Sequence, residues 1–278
     1  MHYRRIHDES ELIAGLLEPD TAILSGGTDL LVKIRAGLTA PRVLLDIRDV
    51  PTLLGIHRSE TSIAIGAAVP ESDILASPIV CTELPLLAAA LRKLGSVQIR
   101  HRGTLGGNLV NASPAADSAI PLLLYNAQLE LGGPEGTREL LLETFLLGPG
   151  RTALLPGEFV RTIRVPIPAP GYRFFYHKVG KRRALTIAIA SIGALMLAKE
   201  DRVIDLRLAA GSVAPTPIRL SDAEAVLQDA APTERALAET VRRAMSSVTP
   251  ITDIRATAAY RRNVIGDLTA RALQMIDP

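Results

Sequence analysis

Arg102–Ser118 reads RGTLGGNLVNASPAADS, and how this stretch is read decides the fold. It follows a helical pattern, TELPLLAAALRKLG, and sets adjacent glycines among Thr104, Leu105 and Asn108, with Ser113 and Asp117 further on. Adjacent glycines take away the side chains that hold a ligand off the main chain, which leaves N–H groups open to anionic oxygens. A second loop has the same character. SGGTD, Ser25–Asp29, lies between the β-rich TAIL and the helical LLVKIRAG, which stops near Gly37, a strand, tight loop and helix in succession. The helix that begins there favours a phosphate or pyrophosphate at its first amides. A lone Gly-Gly is more often an ordinary turn. Two such loops about eighty residues apart, flanked by Ser25, Thr28, Thr104, Asn108 and Ser113, suggest a ligand with a long phosphate-bearing tail, clamped between two subdomains.

The competing phosphate motifs lack their key residues. Neither loop completes G-x-G-x-x-G; the only Gly-Lys pair, Gly180-Lys181, is followed by Arg182 and has Phe175 where a P-loop needs glycine. With 31 Lys and Arg against 29 Asp and Glu, the chain has no general pull toward nucleic acid. Aromatic residues make up 3% of the chain, which leaves few stacking platforms for single strands. Cys81 is the only cysteine, so the chain forms no internal disulfide and holds neither an iron–sulfur cluster nor a thiolate zinc site. That, and an N-terminus MHYRRIHDES without a signal-peptide core, points to the reducing cytoplasm. The histidines, His2, His7, His57, His101 and His177, show no i, i+4 pair, so no metal is expected. No Ser/His/Asp arrangement is legible, and no catalytic residue is assigned.

At 278 residues and 47% hydrophobic, the chain suits two domains. RVLLDI, LLGIHR and SIAIGA read as strands, ESDILAS and TELPLLAAALRKLG as helices, and AQLEL and TRELLL as strands around a Gly-Gly-Pro turn. The proline-dense RVPIPAPG marks a boundary near Pro168–Gly171, which gives domains at residues 1–169 and 170–278. Beyond it YRFFYHKV, LTIAIASIGALMLA from Leu185 and RVIDLRLAAGSV read as three strands in an antiparallel sheet. The second of these is too short to span a bilayer and reads as a buried strand. Helical patterns start at Ser221, Thr233 and Asp253, which makes a smaller α+β domain.

AILSGGTDLLVKIRAG and QIRHRGTLGGNLVNASPAADSAIPLL resemble the paired FAD-binding segments of the flavin-carrying medium subunits of molybdenum hydroxylases, the carbon monoxide dehydrogenase and bacterial xanthine dehydrogenase type. RTALLPGEFVRTIRVP, YHKVGKRRALTIAIAS, GSVAPTPIRL and DIRATAAYRR resemble further segments of that family, in its order, so the likeness covers nearly the whole chain. It implies an α+β fold: a two-lobed FAD-binding domain of the vanillyl-alcohol oxidase type, then the smaller domain.

By the same resemblance FAD is the cofactor, its pyrophosphate held by the first glycine loop, Ser25, Gly26, Gly27, Thr28 and Asp29, together with Thr104, Leu105, Gly106, Gly107 and Asn108, while Ile23, Leu24, Leu30 and Ser113 would also contact the cofactor. Asp117 would accept from hydroxyls of the adenosine or ribityl part; alternatively it caps the helical SAIPLLLYNA. Lys178 corresponds to a lysine near the flavin ring, where a cation would stabilise the anionic reduced flavin; a solvated strand-end lysine is the alternative. Leu24, Ile163 and Ile187 would pack near the cofactor, unless they are plain core. His101 stands just before Arg-Gly-Thr, where it would line the flavin loop.

The implied function is electron transfer inside a multi-subunit oxidoreductase. A large subunit would carry the molybdenum cofactor and a small subunit the iron–sulfur clusters, and electrons would leave FAD for NAD, a quinone or dioxygen. A self-contained FAD oxidoreductase of the same fold and a flavin-free binding protein are the alternatives.

Overall fold

Helix α1 (Glu9–Leu16) begins because Asp8 accepts from the Glu11 N–H while Glu11 accepts from the N–H of His7, a reciprocal cap. Gly15 lets the helix lie directly on Leu45, where a Cβ would come within 2.7 Å of its side chain. The helix connects β1 (His2–Arg5) to β2 (Thr21–Leu24), and α2 (Leu30–Arg35) leads on to β3 (Val43–Asp46). The three strands form a parallel sheet in the order β1-β3-β2, as a β-α-β path requires.

Next come β4 (Ile56–Arg58), β5 (Ser62–Gly66), α3 (Glu71–Ala76), α4 (Pro78–Glu83) and α5 (Pro85–Lys93). The single helix expected over TELPLLAAALRKLG is broken, since Pro85 starts α5 afresh. α6 (Val97–Arg100), α7 (Leu105–Val110) and α8 (Ala119–Leu124) follow, then β6 (Gln128–Gly133), β7 (Gly136–Leu141), α9 (Leu142–Phe145), β8 (Leu146–Gly148), β9 (Arg151–Thr152) and β10 (Phe159–Pro166). β10 has no counterpart among the strands expected from the sequence, yet it is the middle strand of an antiparallel sheet ordered β4-β5-β10-β6-β7. Its proline is its last residue, where a missing N–H costs least.

The remainder is β11 (Arg173–Val179), β12 (Ala190–Lys199), β13 (Arg202–Gly211), β14 (Ile218–Arg219), α10 (Ser221–Leu227), α11 (Glu234–Ser246) and α12 (Ala258–Leu273). The expected antiparallel sheet is present, with the two-residue β14 as a fourth strand, in the order β11-β12-β13-β14. The computed structural model describes residues 1–182 and 186–276, so Leu185, where the apolar strand was expected to start, lies outside them.

By contacts the chain forms two units, and it enters each of them three times. One comprises residues 1–79, 96–112 and 127–166; the other comprises 80–95, 113–126 and the chain from Ile167 on. In the second, Ala190, Ile192, Ala194 and Met196 of β12 face a core built with α10, α11 and α12. The opposite face of the sheet takes α5 and α8; Gly193 sits under α8, where a Cβ would meet Ile120 at 2.6 Å. Burial on both faces explains why β12 reads as a continuous apolar run rather than an alternating one.

Candidate functional site

The first glycine loop leaves the carboxyl end of β2, the place where open α/β sheets carry their ligand loops. Its two glycines answer different demands. Gly27 has φ +73°, which side chains disfavour, whereas Gly26 abuts the second loop, and a Cβ there would lie 2.0 Å from the Arg102 carbonyl oxygen. Among the described residues, the backbone N–H groups of Gly26, Gly27, Thr28 and Asp29 donate to no acceptor of the chain. Four successive half-buried donors in that state suit an anion.

The second loop differs from the sequence expectation. The N–H of Leu105 donates to the Val69 carbonyl at 3.3 Å and that of Gly106 to Ala67 at 3.0 Å. Gly107 donates to the Thr104 hydroxyl at 3.1 Å and Asn108 to the Thr104 carbonyl at 2.9 Å, because Thr104 caps α7. These amides are spent inside the fold. Glycine at 106 serves packing, since a Cβ would come within 2.6 Å of Ala67; Leu105 and Gly106 are buried and only Gly107 is exposed.

Side chains then join the loops. Ser25 and Thr104 share a hydroxyl–hydroxyl bond of 2.8 Å, and Lys33 on α2 donates to Asn111 at the end of α7 at 2.6 Å. Thr104 already accepts from Gly107, so if it donates to Ser25 the hydrogen of Ser25 is left for another acceptor. Asp29 does not cap α2; it faces Lys33 at 3.7 Å, one turn on.

In the second unit, Asp117 and Lys178 pair with each other. The Lys178 ammonium donates to Oδ2 of Asp117 at 2.5 Å and to the Lys93 carbonyl at 3.1 Å, while Tyr176 donates from its hydroxyl to Oδ1 at 2.8 Å. Asp117 is 5% exposed, so the pair is buried. Burial pushes its carboxyl above the ordinary value, against the pull of the ammonium and the two donors. Asp117 therefore does not cap α8, whose own N-cap Ser118 makes no side-chain cap bond. Lys178 is not a solvated strand-end lysine, and it is not a bare cation either.

Of the other expected positions, Ser113 accepts from the Ala115 N–H in a turn. Ile163 has no exposed surface and sits in β10 opposite Ile65 and Leu129. Leu24 is buried and Ile23 packs against the core of the first unit; Leu30 is half-buried, Ile187 is 56% exposed and His101 is exposed beyond α6. Sequence reading missed Tyr176 and the Lys33–Asn111 tie. Tyr176 had a signal, because residues two apart on a strand share a face and Lys178 was already singled out.

Two family models match the chain, an FAD binding domain in molybdopterin dehydrogenase over residues 2–168 and a CO dehydrogenase flavoprotein C-terminal domain over residues 175–276. The chain is 33% identical to the carbon monoxide dehydrogenase medium chain of Hydrogenophaga pseudoflava, over 95% of this chain and 92% of that one.

The chain belongs to the FAD-binding medium subunits of the molybdenum hydroxylases.

This medium subunit is also 32% identical to the glyceraldehyde dehydrogenase medium chain of Sulfolobus acidocaldarius, over 92% of this chain and 91% of that one. Among solved structures, it superposes with TM-score 0.95 and 34% identity on a chain of the carbon monoxide dehydrogenase from Hydrogenophaga pseudoflava that lacks the Mo-pyranopterin moiety of its molybdenum cofactor; 99% of this chain and 96% of that one are covered. The expected fold is the observed one, an FAD-binding domain followed by a smaller domain with an antiparallel sheet. Its cofactor is FAD and its class is that of oxidoreductase subunits. Among the described residues of the medium subunit no helix is long and apolar enough to cross a membrane.

Proposed function

We propose that this subunit holds the FAD pyrophosphate on the amides of Gly26–Asp29 with the Ser25–Thr104 hydroxyl pair, takes electrons from iron–sulfur clusters of a small partner subunit, and passes them to an external acceptor such as NAD, a quinone or dioxygen. The observation that carries the reading is the run of four partnerless N–H groups. A pyrophosphate brings both the negative charge and the several acceptor oxygens that such a run satisfies. Asp117 only accepts, so it suits a ribityl or ribose hydroxyl and would repel a phosphate.

When bound, FAD supplies a carrier that exchanges electrons with both one- and two-electron partners. This chain's residues bind and orient it. Lys178 acts on the cofactor as half of a compensated pair, because Asp117 cancels most of its field beyond their immediate surroundings. The subunit contributes position and electrostatics. With one cysteine it cannot ligate a cluster itself, and substrate oxidation is assigned to a large partner subunit that carries the molybdenum cofactor. Relatives named as medium chains support a division of labour among subunits.

Affinity purification of the tagged chain from its native host, with metal and flavin analysis, tests this. The expected result is co-purification with molybdenum- and iron-bearing chains and FAD. A chain that purifies alone with FAD and oxidises a substrate unaided would replace the reading with a self-contained oxidoreductase.

A further inference from the structure

We infer that Tyr176 is a positioning residue for cofactor binding: its hydroxyl fixes the Asp117 carboxylate so that the carboxylate presents its remaining lone pairs to a sugar-type hydroxyl of the cofactor. The inference rests on the FAD reading above and deepens it. Tyr176 and Lys178 lie two apart on β11 and so share the face turned toward Asp117. One holds Oδ1 and the other Oδ2, which uses one acceptor site on each oxygen and leaves one on each free. With Lys178 alone, the carboxylate would be tethered by a single oxygen and free to turn about its Cβ–Cγ bond.

A phenyl ring would fill the same space in this half-buried position, and Asp117 is the partner that the Tyr176 hydroxyl finds there. Burial, and then the neighbouring carboxylate, push the phenol well above its ordinary value, so it stays a donor throughout the working range. The groups facing Asp117 are Tyr176 and Lys178 from β11 and, from α5, Lys93, whose carbonyl accepts from Lys178. His177, between the two on the strand, turns to the opposite face and stacks on Phe175.

The test is titration of the flavin-stripped full chain with FAD, followed by flavin fluorescence at neutral pH and on acidification. Tyr176→Phe is expected to raise the FAD dissociation constant on the order of 10-fold, the size set by loss of one hydrogen bond to a charged group. Its affinity should also fall at a higher pH than in the wild type, because a donor that holds Asp117 ionised is gone. In an Asp117→Asn background the same substitution should change the constant by less than about 2-fold, since the coupling runs through the carboxylate. Tyr125→Phe removes another buried tyrosine hydroxyl of this unit, one that accepts from the Leu86 N–H; it should lower Tm and leave FAD affinity unchanged.

Wild-type affinity and pH profile in Tyr176→Phe, or an equal loss in both Asp117 backgrounds, would overturn the inference. A wild-type chain that takes up no FAD would overturn the reading beneath it, and the inference with it.

Discussion

At the scale of single residues, the two glycines of the first loop separate conformation from contact. Gly27→Ala adds the cost of a left-handed side chain, about 1–2 kcal/mol, without meeting main chain. Gly26→Ala drives a Cβ into the Arg102 carbonyl and must part the two loops. Equilibrium dialysis should therefore show more than about 10-fold weaker FAD binding for Gly26→Ala, with far-UV circular dichroism unchanged, as overpacking of about 1–3 kcal/mol implies. Unaltered affinity would mean that the loops do not act together.

A pH effect belongs to the same scale. Burial opposes the charge of Asp46, but hydrogen bonds from Arg48 and Tyr3 hold its carboxyl down, from 3.8 to about 2. A depressed carboxyl stabilises the fold above its unfolded value and loses that contribution as pH falls through the folded one. About 2 kcal/mol is then present at neutral pH and about half of it is gone by pH 3. Urea unfolding should show Asp46→Asn less stable at neutral pH, with a flatter loss between about pH 4 and 2. Parallel acid profiles for the two proteins would show that the Asp46 contacts contribute nothing in solution.

At the scale of elements, periodicity and turn chemistry carried the reading where an element's partners are local. The strand, glycine turn and helix of β2 and α2 come from adjacent residues, and they stand where expected. β10 escaped because its alternation, with Ile163 and Val165 buried around Arg164, runs straight into a proline-dense segment that reads as a linker. The two readings of Asp117 could not be separated by sequence, since a helix cap lies next door in the chain and Lys178 lies 61 residues away. The engagement of the Leu105 and Gly106 amides was equally hidden, because their acceptors, Val69 and Ala67, belong to a distant turn. α8 tests the link between packing and site. Gly193→Val would push this helix off β12 and carry Asp117, just ahead of it, away from Tyr176 and Lys178. Thermal unfolding should register about 1–3 kcal/mol of overpacking, together with weakened FAD binding. A stability loss with full FAD affinity would separate the seating of α8 from cofactor binding.

At the scale of the whole molecule, the two family models account for nearly the full chain, in the order that the sequence segments suggested. The contact units do not follow that order, because α5, α8 and the Asp117 segment pack with the C-terminal sheet. Such interleaving could not be read from composition, since the apolar surface of α8 does not say which sheet it covers. What was legible at this scale was the family and its FAD cofactor, carried by the segments around the two glycine loops. The most direct measurement is the absorbance spectrum of the purified chain before and after added FAD, with the cofactor identified after denaturation. A flavin spectrum that yields FAD at about one per chain is the predicted result. No flavin, and no uptake when FAD is supplied, would contradict the central claim that the free amides of Gly26–Asp29 are there to hold it.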